Sequence, residues 1–167
     1  GFVRFDGRVK EECGKYAIVM PGPKFFEFLA VEEDIVMRTS AQDPTGDVVI
    51  LQSNENALFY DYMEFLSVRR AQAAPHEAVL SDSTASQAAI NAARKVLGSF
   101  GDEVGAEQRR ILEEHGTMLF AKYLNMVLEP KMPEFPSNIV NIQDLQYRWY
   151  LNHYWDRVDF TDPRLVR

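Results

Sequence analysis

Cysteine is almost absent from this chain, and its scarcity limits the chemistry that the sequence can support. The 167 residues include a single cysteine, Cys13, so the chain can form no internal disulfide, CxxC redox pair or cysteine-rich zinc site. Two acidic residues precede Cys13, where a lipoprotein acylation site would need small apolar ones. We therefore interpret Cys13 as an incidental thiol.

Long hydrophobic runs, clustered basic residues and catalytic motifs are also missing. No run of about 18 apolar residues could span a membrane. The 18 basic residues are outnumbered by 25 acidic ones and are scattered, which argues against binding to a nucleic-acid backbone. Motifs for dinucleotide, P-loop, serine-hydrolase or zinc-protease chemistry are absent. The sequence therefore predicts no catalytic residue, cofactor, metal or nucleic-acid partner.

The N-terminal third has the alternating apolar and polar pattern of β-strands. From residue 3 to about residue 52, short apolar runs are separated by turn residues, which predicts about five strands in an antiparallel meander. The first of these strands is predicted near residues 2–9. Two of the predicted turns lie at Pro21-Gly22-Pro23 and at Asp43-Pro44-Thr45-Gly46.

The periodicity becomes helical after residue 52. A helix capped by Ser53 or Asn54 is predicted at about residues 55–74, with one strongly aromatic face. We expect it to end before Pro75, because proline disfavours helical backbone in the residue that precedes it.

A polar, alanine-rich region follows and predicts two peripheral helices, at about 84–97 and 103–115. A capping box opens the first of them at Thr84. Three glycines should separate the two, because each costs roughly 1 kcal/mol relative to alanine in a helix interior. After Gly116, a strongly apolar stretch predicts a core helix.

The last stretch, residues 141–167, is the most aromatic part of the chain. Asn141 is predicted to cap its helix, with Asp144 near the positive helix end. Asp162-Pro163 predicts the start of a further helix. We expect the core of the C-terminal half to be anchored on the large aromatic side chains of this stretch. These are Tyr147, Trp149, Tyr150, Tyr154, Trp155 and Phe160.

Together, these patterns predict an α+β chain. Residues 1–52 form a small antiparallel β module, and residues 53–167 form an α-helical module. The abrupt beginning and end of the sequence suggest an excerpt of a longer polypeptide.

Polar side chains in the last stretch have spacing that could suit a divalent metal. His153, Asp156, Asp159 and Asp162 recur every three residues, and carboxylate oxygens bind such ions. Helix-end, loop and cap roles account for these aspartates better, so we predict no metal site. The other two histidines, His76 and His115, are interpreted as surface residues.

The aromatic faces of the predicted helices offer a candidate binding site. Phe59, Tyr62, Trp149 and Tyr150 could line a groove between the sheet and the helices, since aromatic residues are common at binding surfaces. Packing in the core is the competing interpretation, because helices with this periodicity usually bury their apolar face.

The segment YRWYLNHYWDRVDFTDPRLVR resembles a helical region of envelope proteins from Gram-negative bacteria, the thioredoxin-like (TlpA-like) thiol-disulfide oxidoreductases. In that family an aromatic helix ends in HYWD and is followed by a D-F-[ST]-D-x-R-L-[LV]-R element. Here the first element begins at His153 and the second at Asp159. The strand-rich GKYAIVMPGPKFFEFLAVEED and the SNENALFYDYMEFL that follows are also similar to the module that opens such proteins.

The resemblance implies that catalysis resides in a C-terminal thioredoxin-like domain with a CxxC pair, beyond the end of this chain. The chain itself would then be an accessory region that positions that domain, recognises a client protein or mediates association. The implied location is the cell envelope, periplasmic or surface-exposed, with room for a lipid anchor upstream.

Two other functions stay open. The chain could be an envelope binding module that holds a small ligand or peptide in the groove between sheet and helices. It could also be a hydrolase that uses carboxylates outside any recognisable motif.

Overall fold

The computed structural model describes residues 12–22, 24–136 and 141–165, and it confirms the α+β class. Strands precede helices along the chain. The strands are β1 (Gly14–Met20), β2 (Lys24–Ala30), β3 (Val36–Arg38) and β4 (Val49–Gln52). The helices are α1 (Asn54–Ser81), α2 (Gln87–His115), α3 (Leu119–Val127) and α4 (Ile142–His153).

The described strands form two separate antiparallel hairpins, β1–β2 and β3–β4, rather than one meander. The predicted turns are present: Gly22 has a φ of 84°, and the backbone N–H of Asp47 donates to the carbonyl of Asp43 at 3.0 Å. The hairpins separate because the connection between them turns towards α1, where the Glu33 carboxylate binds the start of that helix. The strand predicted at residues 2–9 lies outside the described residues.

The helix predicted to end before Pro75 continues to Ser81, so that prediction is wrong. A five-residue loop connects α1 to α2, and the two helices pack side by side in opposite directions. His76, next to the proline, lies 6.4 Å from the ring of Phe100, and Arg69 pairs with Glu103 at 2.7 Å. The free energy gained when α1 packs along α2 thus exceeds the free energy lost with the backbone hydrogen bond that Pro75 cannot make.

The second helical region forms one helix, α2, and not the two that its glycines predicted. It begins at an N-cap formed by Ser86, whose hydroxyl accepts from the backbone N–H of Ala89, rather than at Thr84. A 29-residue helix tolerates three glycines because its other residues supply hydrogen bonds and contacts with α1 and α3.

Alanine in place of Gly98 or Gly101 should therefore stabilise the protein. A Cβ at either position meets no atom within 4 Å, and both glycines are exposed. Each substitution should raise the free energy of unfolding by about 0.5–1 kcal/mol, because glycine loses more backbone entropy in a helix. Urea denaturation measures this gain. A loss of stability in both variants would show that α2 is interrupted there.

One hydrophobic core joins the first hairpin to the helices. Its fully buried members come from β2, α2 and α3, and α1 contributes Tyr62. The prediction that the apolar helix after Gly116 belongs to the core is confirmed, since α3 supplies four of the buried side chains. The core residues are Leu29, Tyr62, Ile111, Leu119, Phe120, Ala121 and Leu124.

The prediction that the last stretch anchors the core is wrong. All residues of α4 are described, and none of them is buried. Of the following residues, Leu165 packs against the core. Asn141 is the N-cap residue of α4, but it adopts a φ of 64° and its side chain makes no capping bond. The helix predicted from Asp162 is a turn in the described residues.

Candidate functional site

A polar cluster holds the beginning of α1 against the hairpins. The N-cap Ser53 adopts a φ of 154°, a conformation that is costly for a residue with a Cβ. Its hydroxyl donates to a Glu33 carboxylate oxygen and accepts from the backbone N–H of Asn56 at 2.9 Å. Glu33 also accepts from the backbone N–H groups of Asn54 and Glu55, both at 3.2 Å. The carboxylate thus occupies the positive end of the helix.

Asn56 connects this cluster to the edge of β2. It is fully buried, and its side-chain amide donates to the carbonyl of Leu29 and accepts from the N–H of Leu29, each at 2.8 Å. The amide group therefore pairs with the strand edge as another strand would. Tyr60 adds a second bond, from its hydroxyl to the carbonyl of Glu27 at 2.7 Å, and burial raises the pKa of Tyr60 to about 12.

The Glu55 side chain caps the start of α3, as the Glu33 side chain does for α1. Its buried carboxylate accepts from the backbone N–H of Phe120, whereas the N-cap residue of α3, Met118, cannot cap through its side chain. In the part of the chain that the structure describes, every buried side-chain nitrogen or oxygen has a hydrogen-bond partner. We conclude that this cluster stabilises the fold, because its bonds join α1 to β2 and to α3.

A cleft of about 440 Å³ lies beside this cluster, between the second hairpin and α1. It is shallow and widely open to solvent. One wall is formed by β4 and the other by the turn before β3 and the first turn of α1. The lining residues are Glu33, Asp34, Ile50, Leu51, Gln52, Ser53, Asn54 and Ala57.

A second candidate site is an exposed surface at the end of the chain, which we call the aromatic surface. Its large apolar side chains face solvent on α4 and the turns that follow. Some of them contact one another rather than the core: the rings of Trp155 and Phe160 meet at a tilt with centroids 6.0 Å apart, and those of Tyr154 and Trp155 meet edge to face at 4.8 Å. The aromatic surface comprises Tyr147, Leu151, Tyr154, Trp155 and Phe160.

Polar bonds to α3 hold the turn that carries Phe160 of the aromatic surface. The amide of Asn125 donates to the carbonyl of Arg157 and accepts from its guanidinium, both at 3.0 Å. Lys122 pairs with Asp159 at 3.3 Å. Asp159 also accepts from the backbone N–H and hydroxyl of Thr161. This turn places Phe160, which lies between the two residues, in solvent.

The four residues predicted to line a groove lie in two separate places. Phe59 and Tyr62 pack on Phe120 in the core, with ring centroids 5.5 and 5.6 Å apart. Trp149 stacks on His153, and Tyr150 contacts Tyr154, both within the C-terminal segment. No ring contact connects the two pairs in the described residues. Whether any of the four binds a ligand stays a prediction.

The evenly spaced acidic residues of the last stretch each have a local partner. His153 lies 2.6 Å from Asp156, Asp159 contacts Lys122, and Asp162 binds Arg164. Among the described residues, no three His, Cys, Asp or Glu side chains are grouped so that they could hold a metal ion. The guanidinium of Arg164 also donates to the carbonyl of Thr117 at 3.3 Å.

The Asp162–Arg164 pair should make stability depend on pH below neutrality. Hydrogen bonds from Arg164 lower the pKa of Asp162 to about 2. Because this folded-state pKa lies below the ordinary value, the stabilisation is complete above about pH 4 and is lost as the pH falls through 2. Asp162→Asn should therefore reduce the free energy of unfolding at pH 7, by up to about 1 kcal/mol.

Denaturation at several pH values, with Asp61→Asn as an exposed control on α1, measures this effect. The difference between Asp162→Asn and the unmodified protein should shrink towards pH 2. An equal difference at pH 2 and pH 7 would show that the pair makes no charge-dependent contribution.

The remaining residues considered from the sequence lie apart from one another. Cys13 is half-buried and forms no disulfide. His76 contacts Phe100, and His115 lies 3.9 Å from Glu114 at the end of α2. The sequence predicts the cap at the start of α1 but not the bonds of Glu33 and Asn56 that surround it, although the run of polar residues 53–56 marks the place.

None of the helices in the described residues is both long enough and apolar enough to cross a membrane. No protein-family model, curated protein or solved structure matches this chain.

Proposed function

We propose that this chain is the non-catalytic accessory region of a cell-envelope thiol-disulfide oxidoreductase. In this proposal the aromatic surface associates with the thioredoxin-like domain of the same polypeptide and positions it. The observation that carries the proposal is the exposure of that surface, where Trp155 is 58% and Phe160 60% exposed. The segment that resembles the oxidoreductase family is the same segment.

The size of the aromatic surface supports a role in association. Large aromatic side chains bury about 150–250 Å² each, so the four in this surface represent several hundred square ångströms. The rings of Tyr154, Trp155 and Phe160 contact one another, and exposed apolar patches often mark interaction sites, in which tyrosine and tryptophan are enriched. The polar bonds from α3 fix the turn that carries Phe160, which reduces the entropic cost of ordering that side chain on association.

The proposed role is non-catalytic because disulfide exchange needs a reactive thiolate and usually a second cysteine, and this chain has only Cys13. The redox step would take place in the CxxC domain. The proposal also places the protein in the cell envelope, either in the periplasm or at the surface.

The native coding sequence gives the first test. Beyond Arg167 it should encode a strand followed by CxxC at the start of a helix. That domain, purified separately, should bind this chain in calorimetry, and Trp155→Ala should weaken binding about 10-fold or more, as interface tryptophans commonly do.

Phe25→Ala is the matched control, because Phe25 is similarly exposed, at 50%, but lies on β2. It should leave the affinity unchanged. An equal loss of affinity in the Trp155→Ala and Phe25→Ala variants would contradict the proposal. So would the absence of any binding between the chain and the domain. The chain alone should also fail to reduce insulin disulfides, and measurable turnover would contradict its non-catalytic role.

The second candidate function, an envelope module that binds a small ligand or peptide, is favoured by the cleft beside β4. This cleft differs in its lining from the groove that the sequence predicts. A ligand in the cleft should raise the melting temperature by mass action, and Leu51→Ala should reduce the shift. The absence of any shift across a library of sugars and peptides would contradict this function.

A further inference from the structure

We infer that the aromatic surface binds an apolar, uncharged face of the thioredoxin-like domain, so that the association depends on burial of apolar area and not on complementary charge. This inference rests on the proposed function and names the chemistry of the partner. The charged groups around the aromatic surface carry it.

The aromatic surface lies in an electrically balanced part of an acidic chain. The whole chain has a formal charge of -7. In residues 141–165, taken with Lys122 of α3, four carboxylates are matched by four permanently charged cations. The carboxylates are Asp144, Asp156, Asp159 and Asp162, and the cations are Lys122, Arg148, Arg157 and Arg164. The acidic excess of the chain therefore lies outside this region.

The charged side chains of α4 and its C-terminal turn are paired with one another. The guanidinium of Arg148 lies 3.0 Å from the carboxylate of Asp144, one helical turn away. The imidazole of His153 lies 2.6 Å from the carboxylate of Asp156. These pairs leave α4 without a free carboxylate or guanidinium.

The charged side chains of the turns that follow are engaged as well. The guanidinium of Arg157 donates to the side-chain oxygen of Asn125 at 3.0 Å. The other charges form the ion pairs Lys122–Asp159 and Asp162–Arg164. Within the described residues 141–165, every charged side chain thus has a polar partner in the chain. A charged partner face would have to break one of these bonds to gain an ion pair.

Such a surface offers its partner apolar area rather than charge. The fields of paired opposite charges largely cancel, and salt screens what remains. Tyr147, Trp155 and Phe160 are 62%, 58% and 60% exposed. Where these side chains meet an apolar face, water is released from both surfaces, and the buried centres of interfaces are depleted of charged residues. An apolar partner face therefore fits the aromatic surface.

Calorimetry with the separately purified CxxC domain tests the inference through the salt dependence of binding. We expect Kd to change by less than about 2-fold between about 0.05 and 0.5 M sodium chloride, because no complementary charges steer or hold the complex. The heat-capacity change of binding should be negative, as burial of apolar surface requires.

Two substitutions of Phe160 test the apolar character of the partner face. Phe160→Leu keeps an apolar side chain, whereas Phe160→Gln places an amide there. The leucine variant should bind about 5-fold or more tightly than the glutamine variant, because an amide buried without a hydrogen-bond partner costs free energy. Equal affinities of the two variants would overturn the inference.

Asp144→Asn is the charge control, since it frees Arg148 from its ion pair in the first turn of α4. It should leave the affinity within about 2-fold of the unmodified chain. A larger effect would reveal a charged partner face and overturn the inference.

The proposed function and the inference fail in different ways. If the chain and the domain do not bind, the proposed function is contradicted and the apolar contact is excluded with it. If they bind, but the affinity falls about 10-fold or more as the salt concentration rises, complementary charges hold the complex. In that case the inference is overturned and the proposed function stands.

Discussion

Replacing Asn56 by alanine should lower the free energy of unfolding by about 2–6 kcal/mol. The change removes the bonds from the amide to both backbone groups of Leu29 and to the Ser53 hydroxyl. The N–H and C=O of Leu29 would then be buried without partners, and each such group costs about 1–3 kcal/mol. Domains of this size are stable by about 5–15 kcal/mol, so the loss is a large fraction of the total.

Chemical denaturation measures this loss, and Asn91→Ala is its control. Asn91 is an exposed residue of α2 whose side-chain oxygen accepts from the Gln87 amide at 3.0 Å, so its replacement should change stability by less than about 0.5 kcal/mol. If Asn56→Ala prevents folding altogether, Ser53→Ala offers a milder test with an expected cost of about 1 kcal/mol. Similar, small effects of Asn56→Ala and Asn91→Ala would show that the amide does not hold the hairpin to α1.

Leu119→Ala should lower the free energy of unfolding by about 2–5 kcal/mol. Leu119 is 0% exposed at the first position of α3, where it belongs to the core that joins the hairpin to the helices. Its truncation loses the transfer free energy of the side chain and leaves a cavity that the surrounding helices fill only partly.

The matched variant is Leu151→Ala, on the exposed face of α4. Leu151 is 51% exposed, so the same substitution should cost less than about 0.5 kcal/mol. Ile111→Val, in α2, gives a graded measure of the same core at about 0.5–1.5 kcal/mol. Comparable losses for Leu119→Ala and Leu151→Ala would mean that the core extends to α4, as the sequence predicted.

Local features with a single physical cause could be predicted from the sequence. The Asp43 turn formed because its side chain accepts from the Gly46 N–H, and no distant residue is needed for that bond. The Ser53 cap and the α3 core helix were predicted for similar reasons. In β1, Tyr16, Ile18 and Met20 are more buried than the residues between them, as the alternation indicated.

The candidate sites could be predicted only in part. Aromatic content identified the C-terminal segment, but Trp155 is 58% exposed because no element among the described residues covers it. The prediction joined Tyr62 to Trp149, whereas Tyr62 hydrogen-bonds Gln108 in the core. The cleft beside β4 could not be foreseen, because it depends on how the turn before β3 and the first turn of α1 meet that strand.

By itself, the sequence determined the α+β class, the order of strands before helices, the hairpin turns and the apolar face of α3. These features follow from side-chain periodicity and turn chemistry within a few neighbouring residues. Only the tertiary structure decided that α1 passes Pro75, that α2 spans its glycines, that the hairpins separate and that the final aromatic residues stay exposed. In a helix interior glycine costs about 1 kcal/mol and proline about 3 kcal/mol relative to alanine, and contacts with elements distant in the chain outweigh these local preferences.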